Sequence, residues 1–258
     1  MNLNFVFRNH LLSEIKTLDN KKYTGRPKTL SNEEALSIIF KVLRTGMQWR
    51  EIDSSVSYAT VFRRMQQWQH ANIFQNAFKR VLKTYNKLNP TKYYCIDSSY
   101  VKNQYGRSGL GKNHTDRGRK AIKLSLIVDQ NGVSYGMRCD PGNRPDVTLL
   151  RSTLESMMTT LETLPLFADR GYDSRNNRNI CQEYRVQDRI FRRKTKTVRR
   201  TNSKRIVVEH AFAWLDNFRR LIRFYEHTPE KYLNYVFLAL GHHLCNRFSI
   251  GQNLLEKY

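Results

Sequence analysis

The sequence predicts an α/β domain, a mixed sheet with flanking helices, preceded by a small all-helical domain. Up to Asn89-Pro90 the chain carries only helical signals. Beyond it, apolar runs of four to six residues alternate with helical stretches, the pattern of a sheet with helices packed on it. Composition says that the chain folds: 258 residues, 40% hydrophobic and 12% aromatic, can bury a sizeable core and are too apolar for a disordered basic tail. The expected domains are residues 1–89 and 90–258.

In the first domain a helix opens at Ser31, with Glu34 three residues on, a capping box that satisfies two orphan amides. It runs through Ala35, Leu36, Ile38, Ile39, Val42 and Leu43 and stops at Gly46, which can adopt the left-handed cap conformation. Further helices are expected over about Ala59–Gln69 and Asn72–Leu88. Three short helices with a basic middle one suggest a helix-turn-helix module in which Arg63 and Arg64 face DNA. A small bundle with both arginines solvated fits the spacing equally well.

In the second domain, Lys92–Asp97 is a β-rich run ending in a carboxylate. Ile122–Asp129 alternates Ile122, Leu124, Leu126 and Val128, is closed by Asn131-Gly132, and pairs with Val133–Cys139 as a hairpin. A helix over Asp146–Met158 leads to a strand, Pro165–Asp169, again ending in a carboxylate. A helix near Asn176–Tyr184, a strand near Val186–Arg192, a long helix from about Asn202 to Arg223 and a last helix around Lys231–Phe248 complete the domain.

Charge narrows the partners. There are 45 Lys+Arg against 22 Asp+Glu, a formal net of +23, with a pI near 10.1. Both domains share it, 15 basic against 6 acidic residues in 1–89 and 30 against 16 in 90–258. A folded chain this basic points to a polyanion, most commonly nucleic acid. No apolar run approaches the roughly 18 residues of a membrane span, and the N-terminus is too interrupted for a signal peptide. Cys95, Cys139, Cys181 and Cys245 are widely spaced and read as free thiols in a reducing compartment. The expectation is a soluble intracellular protein without membrane contact, in the cytoplasm and on the nucleoid if the host is bacterial.

Three carboxylates are candidates for chemistry. Asp97 and Asp169 each follow an apolar run at the end of a strand, where sites form in open α/β sheets. Brought together, they would repel one another unless a hard cation neutralised them. Glu209 lies opposite the apolar face Val207, Ala211, Trp214, Leu215, Phe218, Leu221 and Ile222, on a strip with Arg205, Asp216, Arg220 and Arg223. Arg205–Glu209 has the weaker i,i+4 order, which leaves Glu209 available for another role. From Arg189 to Arg205, nine of seventeen residues are basic: Arg189, Arg192, Arg193, Lys194, Lys196, Arg199, Arg200, Lys204 and Arg205. Such a stretch would grip a phosphate backbone in a salt-dependent way.

These residues resemble bacterial insertion-sequence DDE transposases. Ala168-Asp169-Arg170-Gly171-Tyr172-Asp173-Ser174 is similar to the family's second-aspartate motif, and Tyr94–Ser99 to the first-aspartate strand. Ile122-Lys123-Leu124 is similar to the Lys-bearing strand after it, and Arg205–Leu215 to the third-carboxylate helix. Thr45–Ile52 resembles the N-terminal helical domain of the same group, so the likeness spans about residues 23–248.

The resemblance implies a ribonuclease-H-like catalytic domain in which Asp97, Asp169 and Glu209 are both catalytic and metal ligands. They would bind two Mg²⁺ ions, with Mn²⁺ as a substitute. The implied activity is cleavage at the ends of the protein's own element and joining of the freed 3′-hydroxyls to target DNA. Double-stranded DNA is the implied partner, contacted by Arg63, Arg64, Lys123, Arg170, Arg192, Arg193, Arg199, Arg200 and Arg205. A homodimer is expected, because two ends must be joined in one event. In a related group a Tyr-(2)-Arg-(3)-Glu-(6)-Lys signature surrounds the last acid. Here Arg205 and Glu209 fit it, but Asn202 and Asp216 stand at the Tyr and Lys positions, which places the chain with a looser neighbouring group. The competing expectation is a catalytically inactive, transposase-derived DNA-binding protein. A ribonuclease of the same fold is a third, and no aromatic stacking motif supports it.

Overall fold

In a computed structural model describing residues 2–19, 30–53, 57–192 and 203–248, the helical signals of the first ninety residues become α1 (Phe5–Asp19), α2 (Asn32–Thr45), α3 (Tyr58–His70) and α4 (Ile73–Leu88). α2 begins and ends as its sequence dictates. Ser31 Oγ accepts from the Glu34 amide, and Gly46, at φ 69°, returns its N–H to the Val42 carbonyl. The apolar stripes of the helices form the core of this unit: Phe7, Leu11 and Ile15, then Leu36, Ile39 and Leu43, then Val61, Met65 and Trp68, then Phe74, Phe78 and Val81, all buried.

The second unit is a mixed sheet in the order β2-β3-β1-β5-β6. At its centre β1 (Tyr94–Asn103) runs antiparallel to β3 (Lys120–Asp129). On its far side β3 carries β4 (Ser134–Pro141) and the short β2 (Gly111–Lys112), both antiparallel. On the other side of β1 lie β5 (Pro165–Ala168), parallel to it and to β6 (Gln187–Ile190), and β7 (Arg223–Phe224), also parallel. The Asn131-Gly132 turn is pinned by Asp129, whose Oδ1 accepts from the amides of Asn131 and Val133 at 2.9 Å each. Residues 121–129 are buried throughout, so β3 is a central strand covered on both faces. Its helices are α5 (Leu150–Glu155), α6 (Arg175–Glu183), α7 (Ile206–Leu215) and the opening of α8 (Pro229–Arg247).

Several expectations are corrected. β1 does not end at Asp97 but continues to Asn103, because β3 offers pairing partners along that whole length. The helix expected over 146–158 is a 3₁₀ turn at Asp146–Thr148 followed by the short α5. The long helix expected to Arg223 stops at Leu215. Beyond it the amides of Arg219 and Arg220 donate to the carbonyls of Arg44 and Leu43, satisfying the last carbonyls of α2. The compact units reflect this: one comprises Met1–Leu88, Asn217–Leu221 and Asn234–Tyr258, the other Asn89–Asp216 and Ile222–Leu233. Residues 217–221 and 234–248 group with the helices. Phe40 makes the reason visible, packing against Phe218 at 6.1 Å and His242 at 4.6 Å between ring centroids.

Candidate active site

Strand register brings the two aspartates together. β1 and β5 pair in parallel, Tyr94 with Leu166 and Cys95 with Phe167. Asp97 and Asp169 each lie two residues beyond the last pair, at the same offset, so both carboxylates emerge where β5 leaves the sheet. Asp97 Oδ1 accepts from the Ser98 amide at 2.8 Å, and Oδ2 accepts from Arg205 Nη2 at 2.8 Å. Burial pushes the Asp97 carboxyl above its ordinary value. The Ser98 amide and Arg205 pull it back down, and the charges of Asp169 and Asp146 push it up again. Asp169 Oδ1 accepts from the Gly171 amide at 2.7 Å and so caps the 3₁₀ turn Arg170–Tyr172.

A third carboxylate, Asp146, joins them, one that the sequence places only at the start of a helix. Its Oδ1 accepts from Ser98 Oγ at 2.6 Å and from Lys123 Nζ at 2.9 Å. Lys123 also donates to the Arg144 carbonyl at 3.1 Å and lies over the Tyr100 ring at 4.5 Å. Gly171 marks the gap between carboxylates. A Cβ there would stand 2.9 Å from Asp169 Oδ1 and 3.2 Å from Asp146 Oδ2, so any side chain would fill the space between them. The buried Tyr172 lies against the same cluster, and the charges of Asp146, Asp97 and Asp169 add to the burial that raises its phenol.

Glu209 sits on the first turn of α7, exposed and without a hydrogen bond or ion pair among the described residues. An all-oxygen donor set beside a gap that only glycine leaves open suits a hard divalent cation, and Asp97 and Asp169 fit that role. Among the described residues, no group of three His, Cys, Asp or Glu is placed to hold one ion. Arg205 occupies Asp97 instead, on the turn that leads into α7.

The expected DNA contacts divide. Arg63 is exposed, but Arg64 is buried, and its Nη1 donates to the carbonyls of Leu30 at 2.6 Å and Ser31 at 3.1 Å. Lys123 is likewise buried, held by Asp146. Both are turned inward, because each supplies the positive charge or donors that a buried acceptor requires. Arg170 and Arg192 are exposed. Arg193, Arg199 and Arg200 lie outside the described residues. Among the described residues no helix is long and apolar enough to cross a membrane.

Comparison with known proteins bears on this geometry. A family model described as "Transposase DDE domain" matches residues 89–241. A second, "Putative transposase of IS4/5 family (DUF4096)", matches residues 9–78. The chain is 32% identical over 162 residues to "Putative transposase for insertion sequence element IS402" of Burkholderia cepacia, covering 60% of this chain and 74% of that protein. Among solved structures, a piggyBac transposase synaptic complex with hairpin DNA superposes with a TM-score of 0.51 at 10% identity, over 97% of this chain and 74% of that one. A Mos1 mariner paired-end complex with Mn gives a TM-score of 0.36 at 14% identity, over 97% and 87%. At 10% identity the piggyBac likeness is one of fold, the ribonuclease-H-like mixed sheet with its helices.

Proposed function

Because the chain belongs to the DDE transposase family, we propose that it cleaves the ends of its own mobile element and joins the freed 3′-hydroxyls to target DNA. The observation that supports this reading best is the β1–β5 register, which brings Asp97 and Asp169 close together where β5 leaves the sheet. In this reading Asp97, Asp169 and Glu209 hold two Mg²⁺ ions, for which Mn²⁺ can substitute. Ions bound there would activate the attacking oxygen and stabilise the leaving one.

The chain's own groups prepare the site. The amides of Ser98 and Gly171 orient the two aspartates. Lys123 balances Asp146, so that the cluster does not carry three uncompensated charges. Arg205 neutralises Asp97 and, once released, would take a phosphate oxygen. Arg63, Arg170, Arg192, Arg193, Arg199 and Arg200 are proposed on the phosphate backbone of element ends and target. Two copies act together, since two ends are joined in one event.

One observation favours the second reading, a DNA-binding descendant without catalysis: among the described residues no group of three His, Cys, Asp or Glu is placed to hold one ion. The test separates the two. Asp97→Ala, Asp169→Ala and Glu209→Ala should each abolish strand cleavage while duplex binding is retained. Wild-type cleavage by any of the three would overturn the assignment of that residue.

A further inference from the structure

The arm of the second unit that joins β1 to β3 carries a charge arrangement that the carboxylate site does not use. Between Lys102 and Lys120 the chain holds six basic residues, Lys102, Arg107, Lys112, Arg117, Arg119 and Lys120, against one acid, Asp116. Asp116 is taken by Lys102, at 3.3 Å. The other five cations have no ion pair among the described residues, and all five are exposed.

Two of them are forced together. Lys112 on β2 and Lys120 on β3 are directly opposed in the antiparallel register. Like charges facing one another across two strands destabilise the pairing, here on a strand only two residues long. Among the described residues no acidic partner relieves them. The same lysines wall an open cleft of about 410 Å³, lined also by Leu110, Gly111, His114 and Asn143. An imidazole and a carboxamide thus stand beside two ammonium groups, a set of donors in search of an anion.

We propose that this cleft binds the phosphate backbone of duplex DNA, at a point distinct from the phosphodiester that reacts. This rests on the reading that the chain acts on DNA. A single small anion would be balanced by the lysine pair alone. Arg107, Arg117 and Arg119, exposed on the same arm, add the further positive charge that a continuous backbone requires. Position supports the separation. Asp97 pairs with Leu126, six residues along β3 from Lys120 (126 − 120). At about 3.3 Å per residue the lysine pair lies roughly 20 Å along β3 from the strand position of Asp97. That is about six base pairs at 3.4 Å of rise, so the cleft would hold DNA flanking the cleaved position.

The test uses the full chain and a labelled duplex, with affinity followed by anisotropy across a salt series. The double variant Lys112→Ala/Lys120→Ala should bind more weakly and lose about 1.8 from the salt slope, 0.9 for each of two phosphate contacts. Lys112→Arg/Lys120→Arg should keep the wild-type slope. Without DNA, the alanine pair should melt no lower than wild type, because a repulsion has been removed. Two results would overturn the proposal: a wild-type slope in the alanine pair, or inorganic phosphate raising the melting temperature of wild type alone while both proteins bind duplex equally. The second would mark a small-anion site. A wild-type chain with no salt-dependent duplex binding would overturn the transposase reading as well, which distinguishes the two failures.

Discussion

Arg205 Nη2 lies 2.8 Å from Asp97 Oδ2, tying the entry of α7 to the middle of β1 across 108 residues of chain. The contact is largely shielded, with 11% of the arginine side chain and 22% of the aspartate exposed. It is also incomplete, since Arg205 Nε is buried without a hydrogen-bond partner among the described residues. Such a guanidinium is not fully satisfied by the carboxylate and gives it up more readily to a better arrangement. Arginine and a divalent ion would compete for the same oxygen. Arg205→Gln is therefore expected to tighten Mn²⁺ binding in the absence of DNA by about tenfold, the equivalent of roughly 1.4 kcal/mol, as read by calorimetry. Weaker Mn²⁺ binding in the variant would show that Arg205 supports the site instead of competing for it.

Gly171 tests the space between carboxylates. Its added Cβ would press on the flexible ends of Asp169 and Asp146, not on backbone. Gly171→Ala should thus leave the melting temperature nearly unchanged while reducing Mn²⁺ affinity and cleavage at least tenfold. A large loss of stability with normal ion binding would mean that the glycine serves the turn and not the gap.

Arg64 and Arg63 should behave oppositely. Arg64 donates to two carbonyls ahead of α2, and removing a charged donor from buried acceptors costs about 1–3 kcal/mol. Arg64→Met should lower stability by that order in urea melts. Arg63→Met should leave stability unaltered and weaken duplex binding. Equal stability of the two variants would contradict the buried role of Arg64.

Acid should loosen the helical unit. His242 is fully enclosed, with Nδ1 accepting from the Asn4 amide at 2.9 Å, and burial pushes its pKa from the ordinary 6.5 to about 4. His243 is pushed to about 4 as well, by burial and then by Arg247. Between those values the unfolded chain binds protons that the folded chain refuses, so stability is present above pH 6.5 and is lost as pH falls towards 4. For His242 the window is worth on the order of 3 kcal/mol. Urea melts at both ends of the window should show the loss, and His242→Gln should flatten it. An identical pH dependence in His242→Gln would remove this histidine from the account.

What the sequence made legible was local. Ser31 and Gly46 bound α2 because caps act over three or four residues, and Asn131-Gly132 makes its hairpin for the same reason. α1 escaped because its signals are scattered: Asn4 Oδ1 accepts from the Phe7 amide as a cap, but Phe5, Val6 and Leu12 blur the stripe of Phe7, Leu11 and Ile15. The apolar period read from Val207 to Ile222 holds only in part, with Val207 and Trp214 half-buried and Ile222 49% exposed, and it serves two cores. Val208, Ala211 and Leu215 are buried from α7, and Phe218 and Leu221 among the helices of the first unit. Periodicity cannot show where a chain changes neighbours. At the site, the two aspartates were legible as strand-end carboxylates, although β1 runs on past the first. Asp146 was not, since its proximity depends on the fold. Lys123 held a clue: a lysine inside a run as apolar as Ile122–Asp129 needs a buried countercharge, and Asp146 supplies it.

The most direct test of the central claim is nicking of a labelled duplex carrying the flanking repeats of the protein's own gene, with Mg²⁺ and with EDTA. The account predicts cleavage at the repeat boundary that requires Mg²⁺ and disappears in Asp169→Ala. Tight binding without cleavage, by folded wild-type protein with Mg²⁺ present, would contradict it and favour the non-catalytic DNA-binding descendant.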